Sequence, residues 1–125
     1  MTARRVSQPR PRLEAVLARH ILVLDGATAT MLQDHARGGT IDALCLSAPE
    51  AVRDLHLAYL AAGADIIKTN SFNATKLVQA DDGLADRVSA LNEAAAAWAR
   101  SAADEAAGMD PARPRFVAGV LGPAH

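Results

Sequence analysis

At 125 residues the chain has room for one domain, and with half of its residues hydrophobic it can bury a core. Its 29 alanines and 3% aromatic share (Tyr59, Trp98, Phe72 and Phe116) point to a core of small side chains, carried mainly on helices. The net charge of −1 excludes a nucleic-acid or anionic-membrane partner held by bulk charge, and the single Cys45 excludes an intrachain disulfide framework.

The first 12 residues, MTARRVSQPRPR, carry Arg4, Arg5, Arg10 and Arg12 with Pro9 and Pro11 and no acid. They read as a disordered arm, with too little apolar surface to offset ordering, although an Arg-rich, acid-free start is also the composition of an organelle transit peptide. No apolar run reaches the ~20 residues of a membrane span. No signal-peptide core follows the start, so a cytoplasmic chain is expected.

Residues 13–125 form the expected domain. After a short amphipathic stretch, Leu13 to Arg19, the run Ile21-Leu22-Val23-Leu24 is apolar on both faces and is stopped by Asp25-Gly26, as a buried parallel strand would be. Gln33 to Leu46 is polar and holds Gly38 and Gly39, which predicts a loop with at most one helical turn. Ser47-Ala48-Pro49-Glu50 has the spacing of a capping box. The helix it opens puts Val52, Leu55, Tyr59 and Ala62 on one face and should stop at Gly63. A second buried strand begins at Ala64-Asp65-Ile66-Ile67 and ends near Thr69-Asn70. Val88, Leu91, Ala95, Trp98 and Ala102 step by three and four along a second long helix, closed by Gly108. Phe116 to Leu121 reads as a third strand, ended by Gly122-Pro123. The order β-α-β-α-β is that of an α/β chain with crossover helices between parallel strands. An open doubly wound sheet and part of a (β/α)8 barrel both produce it.

In either architecture ligands bind at the carboxyl ends of the strands, where three segments fall. In the first, Asp25 to Thr30, a carboxylate could pair with a substrate ammonium, and N–H groups after the glycine turn could hold an anion; read alone, the segment favours a plain turn with Asp25 as a cap. The second, Thr69 to Thr75, has five polar side chains in seven positions, either a pocket wall or a solvated loop with an Asn or Ser helix cap. In the third, Gly122 could let a ligand approach the backbone closely. There is no dinucleotide fingerprint, Walker A loop or paired-histidine metal motif. His56 reads as a partly exposed helix residue, and Cys45, between two leucines, as a buried small hydrophobe. A lone cysteine also excludes a zinc site of two or more thiolates from this chain.

Three stretches taken together resemble the homocysteine S-methyltransferase family: Ile21 to Gly26 with Thr30-Met31-Leu32-Gln33, AAGADIIKTNSFNAT from Ala61 to Thr75, and RFVAGVLGP from Arg115 to Pro123. The T-N-[ST]-F-N form of the second loop is similar to the homocysteine module of cobalamin-dependent methionine synthase. The resemblance implies a (β/α)8 barrel of the TIM type, of which this chain holds three strands and two crossover helices. It implies methyl transfer to homocysteine, giving methionine, with the homocysteine sulfur held as a thiolate on a zinc bound by three cysteines. The methyl donor in that branch is methylcobalamin, presented by other modules. By the same resemblance Asp25 and Gly26 hold the amino-acid end of homocysteine, and the backbone around Ala29 and Thr30 faces its carboxylate. Thr69, Asn70 and Phe72 line the wall after the second strand, and Gly122 with Pro123 makes the turn after the third.

The chain departs from the family pattern in three ways. Ala27 and Ala29 stand where the family loop is glycine-rich, which would strain the backbone if either needs a positive φ. Lys68 stands where the family often has an acidic or neutral residue, and a lysine at a strand end can reach solvent. The zinc cysteines belong to later segments, one after a later strand and two in a G-G-C-C-G-T motif, and Cys45 matches none of them. The expectation is therefore an amino-terminal portion with part of the homocysteine pocket, no catalytic residue and no metal ligand. The alternatives are a non-catalytic partial barrel completed by a separate chain, or a stand-alone small α/β binding domain.

Overall fold

The computed structural model describes residues 10–81 and 83–123; most of the Arg/Pro-rich arm, and His125, lie outside them. In chain order the elements are α1 (Leu13–Leu17), α2 (Ala29–Ala36), α3 (Leu44–Ser47), α4 (Pro49–Ala62), β1 (Ile66–Lys68), α5 (Lys76–Ala80), a 3-10 turn (Ala85–Arg87), α6 (Val88–Met109) and β2 (Phe116–Ala118). The result is mixed α/β. β1 and β2 run parallel, with Ile66, Ile67 and Lys68 opposite Phe116, Val117 and Ala118, and α6 lies in the connection between them. Among the described residues no helix is long and apolar enough to cross a membrane.

Alanine decides how the helices pack. Ala95, Ala99, Ala102 and Ala103 are fully buried on α6 and, lacking longer side chains, let it lie close to its neighbours. One cluster joins Leu32, Leu44, Cys45, Val52, Leu55 and Ala95, with Trp98 against it donating its indole N–H to the Cys45 carbonyl at 3.1 Å. The other joins Leu60, Ala64 and Ile67 to the lower alanines of α6. Helix α4 ends as expected at Gly63, left-handed at φ 118°. Arg115 closes that end, donating from Nη1 to the carbonyls of Leu60 and Ala64, both at 2.9 Å.

Several expectations are corrected. Among the described residues two strands form rather than three. Ile21 to Leu24 contributes a single parallel bridge, Leu24 to Ile66, and is not buried: Ile21 is 94% exposed. Asp65 supplies the reason. Its Oδ2 accepts the Val23 N–H at 2.9 Å, where a ladder would use a backbone carbonyl. The third run is a strand only to Ala118 and is half-buried. Beyond it the Val120 N–H goes to the Thr69 hydroxyl.

Among the helices, Gln33 to Ala36 completes α2, and α3 forms inside the expected loop. The capping box does not form. Ser47 ends α3 with its hydroxyl bonded back to the Ala43 carbonyl, while Ala48 is the N-cap of α4 and Pro49 its first residue. On α4 the buried face is Val52, Leu55, His56 and Leu60; Ala62 is exposed, and His56 is 2% exposed rather than half out. Gly108 lies within α6, which closes one residue later. Arg37 is the one non-glycine residue at positive φ among those described, so Ala27 and Ala29 carry no such strain.

Candidate functional site

The loops that leave the Ile21–Leu24 run and β1 enclose a cavity of about 370 Å³ at the carboxyl ends of the strands. Its first wall is Gly26 to Ala29. Tyr59 fixes this loop, donating its hydroxyl to the Ala27 carbonyl at 2.7 Å, with its ring against Gly26. A Cβ on Gly26 would come within 3.0 Å of the tyrosine oxygen, so glycine is what the close approach allows. Thr28 is the N-cap of α2 but makes no side-chain cap bond, which leaves the first-turn N–H groups without a cap at the cavity edge.

Behind this wall sits Asp25, its side chain 1% exposed. Oδ2 accepts the Lys68 backbone N–H at 3.0 Å, and Oδ1 has no hydrogen bond. The nearest cation is the Lys68 ammonium, 3.5 Å from Oδ1, which donates to the Gly26 carbonyl at 3.2 Å. Lys68 therefore folds back over Asp25 along the cavity floor, with its side chain 33% exposed.

The second wall is Thr69 to Asn73. Its hydroxyls are consumed by the loop itself. Val120 N–H donates to Thr69 Oγ1 at 2.9 Å, Ser71 Oγ donates to the Val120 carbonyl at 2.9 Å, and the Thr69 proton completes the ring to Ser71 Oγ at 2.7 Å. Asn70 donates from Nδ2 to the Ile41 carbonyl at 3.0 Å. Asp42 closes the far side, 2% exposed, with Oδ2 accepting the Asn73 N–H at 3.0 Å. Burial raises its carboxyl above the usual range, against the bond from Asn73. This loop is buried at Thr69, Asn70 and Ser71 rather than solvated, and the helix cap after it is Thr75, which accepts the Val78 N–H.

Of the sequence candidates, Gly26, Ala29, Thr69, Asn70 and Phe72 line the cavity; Asp25 lies behind it, and Thr30 and Gly122 lie off it. At Gly122 the close approach is made by the protein itself: a Cβ there would overlap the Phe72 carbonyl oxygen. Lys68 and Asp42 are the charged lining residues that sequence reasoning missed, beside the apolar Ile41 and Val120. Lys68 was visible as a departure, but its inward fold depends on a carboxylate 43 residues away. Asp42 lay in a segment read as loop and gave no signal.

Among the described residues no three His, Cys, Asp or Glu side chains are grouped to hold a metal ion. Cys45 is buried, and burial pushes its thiol up to about 11, so it is not a thiolate near neutrality. His56 is buried with Nε2 unpartnered; burial lowers its pKa against the pull of the Asp25 charge. A second cavity, about 300 Å³, lies at the amino ends of the strands around the Asp65–Arg113 pair.

The family model described as homocysteine S-methyltransferase matches residues 22–125. Among solved structures, the metallated form of the homocysteine methyltransferase MmuM from Escherichia coli is 35% identical, over 89% of this chain and 41% of that one, with a TM-score of 0.75. The oxidised form gives 36% identity, 89% and 40% coverage and a TM-score of 0.75. The apo form gives 35%, 86%, 38% and 0.62. The chain thus spans about two fifths of the length of the structures it matches.

Proposed function

The chain belongs to the homocysteine S-methyltransferase family, and we propose that it forms the first portion of a homocysteine-binding (β/α)8 barrel and receives the amino-acid end of homocysteine. The observation that carries this reading is the cavity at the strand ends, edged by the uncapped first turn of α2. N–H groups without a cap at a helix start suit a carboxylate, as a substrate-facing role for Ala29 requires, whereas Thr30 lies off the cavity. Thr69, Ser71 and Val120 act as scaffold, because their polar groups are spent holding the second wall in place.

The residues present do not fit a thiolate zinc site. Cys45 is single, buried and held as a thiol. Zinc activation of the homocysteine sulfur would therefore draw on residues outside this chain. The methyl donor, methylcobalamin on the resemblance to methionine synthase, would be presented by another module to the open mouth of the cavity. One observation favours completion by further polypeptide: Ile21 and Leu121, at the two flanks of the sheet, are each 94% exposed.

The test is methionine formation from homocysteine and a methyl donor, by the 125-residue chain alone and with a polypeptide carrying the remaining strands and the G-G-C-C-G-T motif. No turnover alone and turnover in the mixture are expected. Turnover by the chain alone would reject the partial-barrel reading, and none in a mixture shown to associate would reject the assigned activity.

A further inference from the structure

The charges around the cavity are unevenly available. Asp25 is buried and already takes the Lys68 backbone N–H. Asp42 is 2% exposed and takes the Asn73 N–H. Asp42 and Lys68 both line the cavity, but Lys68, with its side chain 33% exposed, is the charge of this set with room to meet a ligand. An ammonium has three donors. Here one goes to the Gly26 carbonyl, and the ammonium stands 3.5 Å from Asp25 Oδ1 without a hydrogen bond to it, which leaves donor capacity for a ligand.

A ligand ammonium seeking Asp25 would have to displace Lys68, or sit beside it and pay like-charge repulsion in a partly desolvated site. A ligand carboxylate meets the opposite situation. It finds the free Lys68 donor, with the first turn of α2 on the adjoining wall. We propose that Lys68 is a specificity-determining residue: it neutralises Asp25 in place of a substrate ammonium and grips the ligand by its carboxylate, so that the α-amino group is dispensable. This deepens the homocysteine-pocket reading and rests on it for the ligand class, an ω-thiol carboxylate.

The test compares four ligands on the 125-residue chain by amide shifts at Gly26 to Ala29 and by the Lys68 Nζ signal. They are homocysteine, 4-mercaptobutyrate (no amino group), 3-aminopropane-1-thiol (no carboxylate) and butyrate (neither thiol nor amine). Mercaptobutyrate should bind about as well as homocysteine, and the aminothiol about ten- to a hundredfold more weakly, the worth of a charge-assisted hydrogen bond. Lys68→Gln should abolish that ratio and Lys68→Arg keep it; a ratio between ligands is insensitive to a general loss of folding. An aminothiol that matches homocysteine, or a ratio unchanged in Lys68→Gln, overturns the role of Lys68 while the pocket reading survives. Binding of butyrate through Lys68 as tight as that of mercaptobutyrate supports Lys68, because the partners of the sulfur are not among the described residues of this chain. No shift with any of the four rejects both.

Discussion

Gly122 and Gly108 occupy opposite surroundings, so one substitution separates them. Alanine at 122 would drive its Cβ into the Phe72 carbonyl, which is backbone and cannot swing aside. Gly122→Ala should cost about 1–3 kcal/mol and shift the amides of Ser71 to Asn73, read by urea unfolding and by NMR. Gly108 is exposed inside α6 with nothing near its Cβ position, so Gly108→Ala should gain up to about 1 kcal/mol in the same assay. His56 gives the residue scale its pH dependence. Burial lowers its pKa below the ordinary 6.5, with the Asp25 charge opposing. The unfolded chain therefore takes up this proton before the folded one does. The contribution is whole above 6.5 and is lost as pH falls below that value toward the lowered pKa. Asp42, raised above 3.8, works in the opposite sense, its contribution falling as pH rises from 3.8 toward its folded pKa. Urea midpoints should thus drop between pH 7.5 and 5.5, and His56→Leu should flatten that drop. An unchanged slope in the variant would remove His56 as its source.

At the scale of elements, Asp65 ties the Ile21–Leu24 run to β1. Its two oxygens hold the Val23 N–H and the Arg113 Nε, both at 2.9 Å. Burial alone would raise its pKa, but the Val23 bond and the Arg113 and Arg115 charges outweigh it and hold the carboxyl below 3.8. The tie is therefore whole above 3.8 and is lost only as pH falls through the lowered value. Asp65→Ala should cost roughly 2 kcal/mol and speed exchange of the Asp25 amide, which bonds to the Ile66 carbonyl. Slow exchange at Asp25 in the variant would show that the run holds without the tie. The same residue marks the limit of what sequence reveals. Helices α4 and α6 were legible because three-four spacing persists over 14 and 22 residues, and Gly63 stops the first where expected. The edge run was misread because apolar residues on both faces cannot reveal that a side chain replaces its first ladder partner. Helices α2 and α3, of eight and four residues, are too short for a period to stand out from polar neighbours. In the site, Gly26, Ala29 and Asn70 line the cavity, and they were singled out by the family resemblance together with their place at the strand ends rather than by local chemistry alone. Lys68 over Asp25 was not, since that pairing exists only once β1 is in place.

For the whole molecule the decisive feature is an asymmetry of cover. Helices α4 and α6 pack on β1 and bury Ile67 completely, whereas β2 stays half-buried and the run before Asp25 is exposed at Ile21, Val23 and Leu24. A parallel sheet ordinarily hides both faces, and a flank with free N–H and carbonyl groups is a template for another chain. The 125-residue chain should therefore exchange amide hydrogens slowly in α4, α6 and β1 and quickly at the flank amides of 21–24 and 116–121 that face away from β1, with Val23, Phe116 and Val120 held back by their bonds to Asp65 and Thr69. It should also associate with rising concentration in sedimentation. A polypeptide supplying the remaining barrel strands should slow exchange at both flanks and abolish self-association, because it satisfies the backbone groups and covers Ile21 and Leu121 together. The competing reading, a self-sufficient binding domain, requires the opposite set: a monomer at all concentrations and slow exchange at both flanks without any addition. The exchange pattern separates the two more cleanly than stability does, since α4 and α6 would support a cooperative transition in either case.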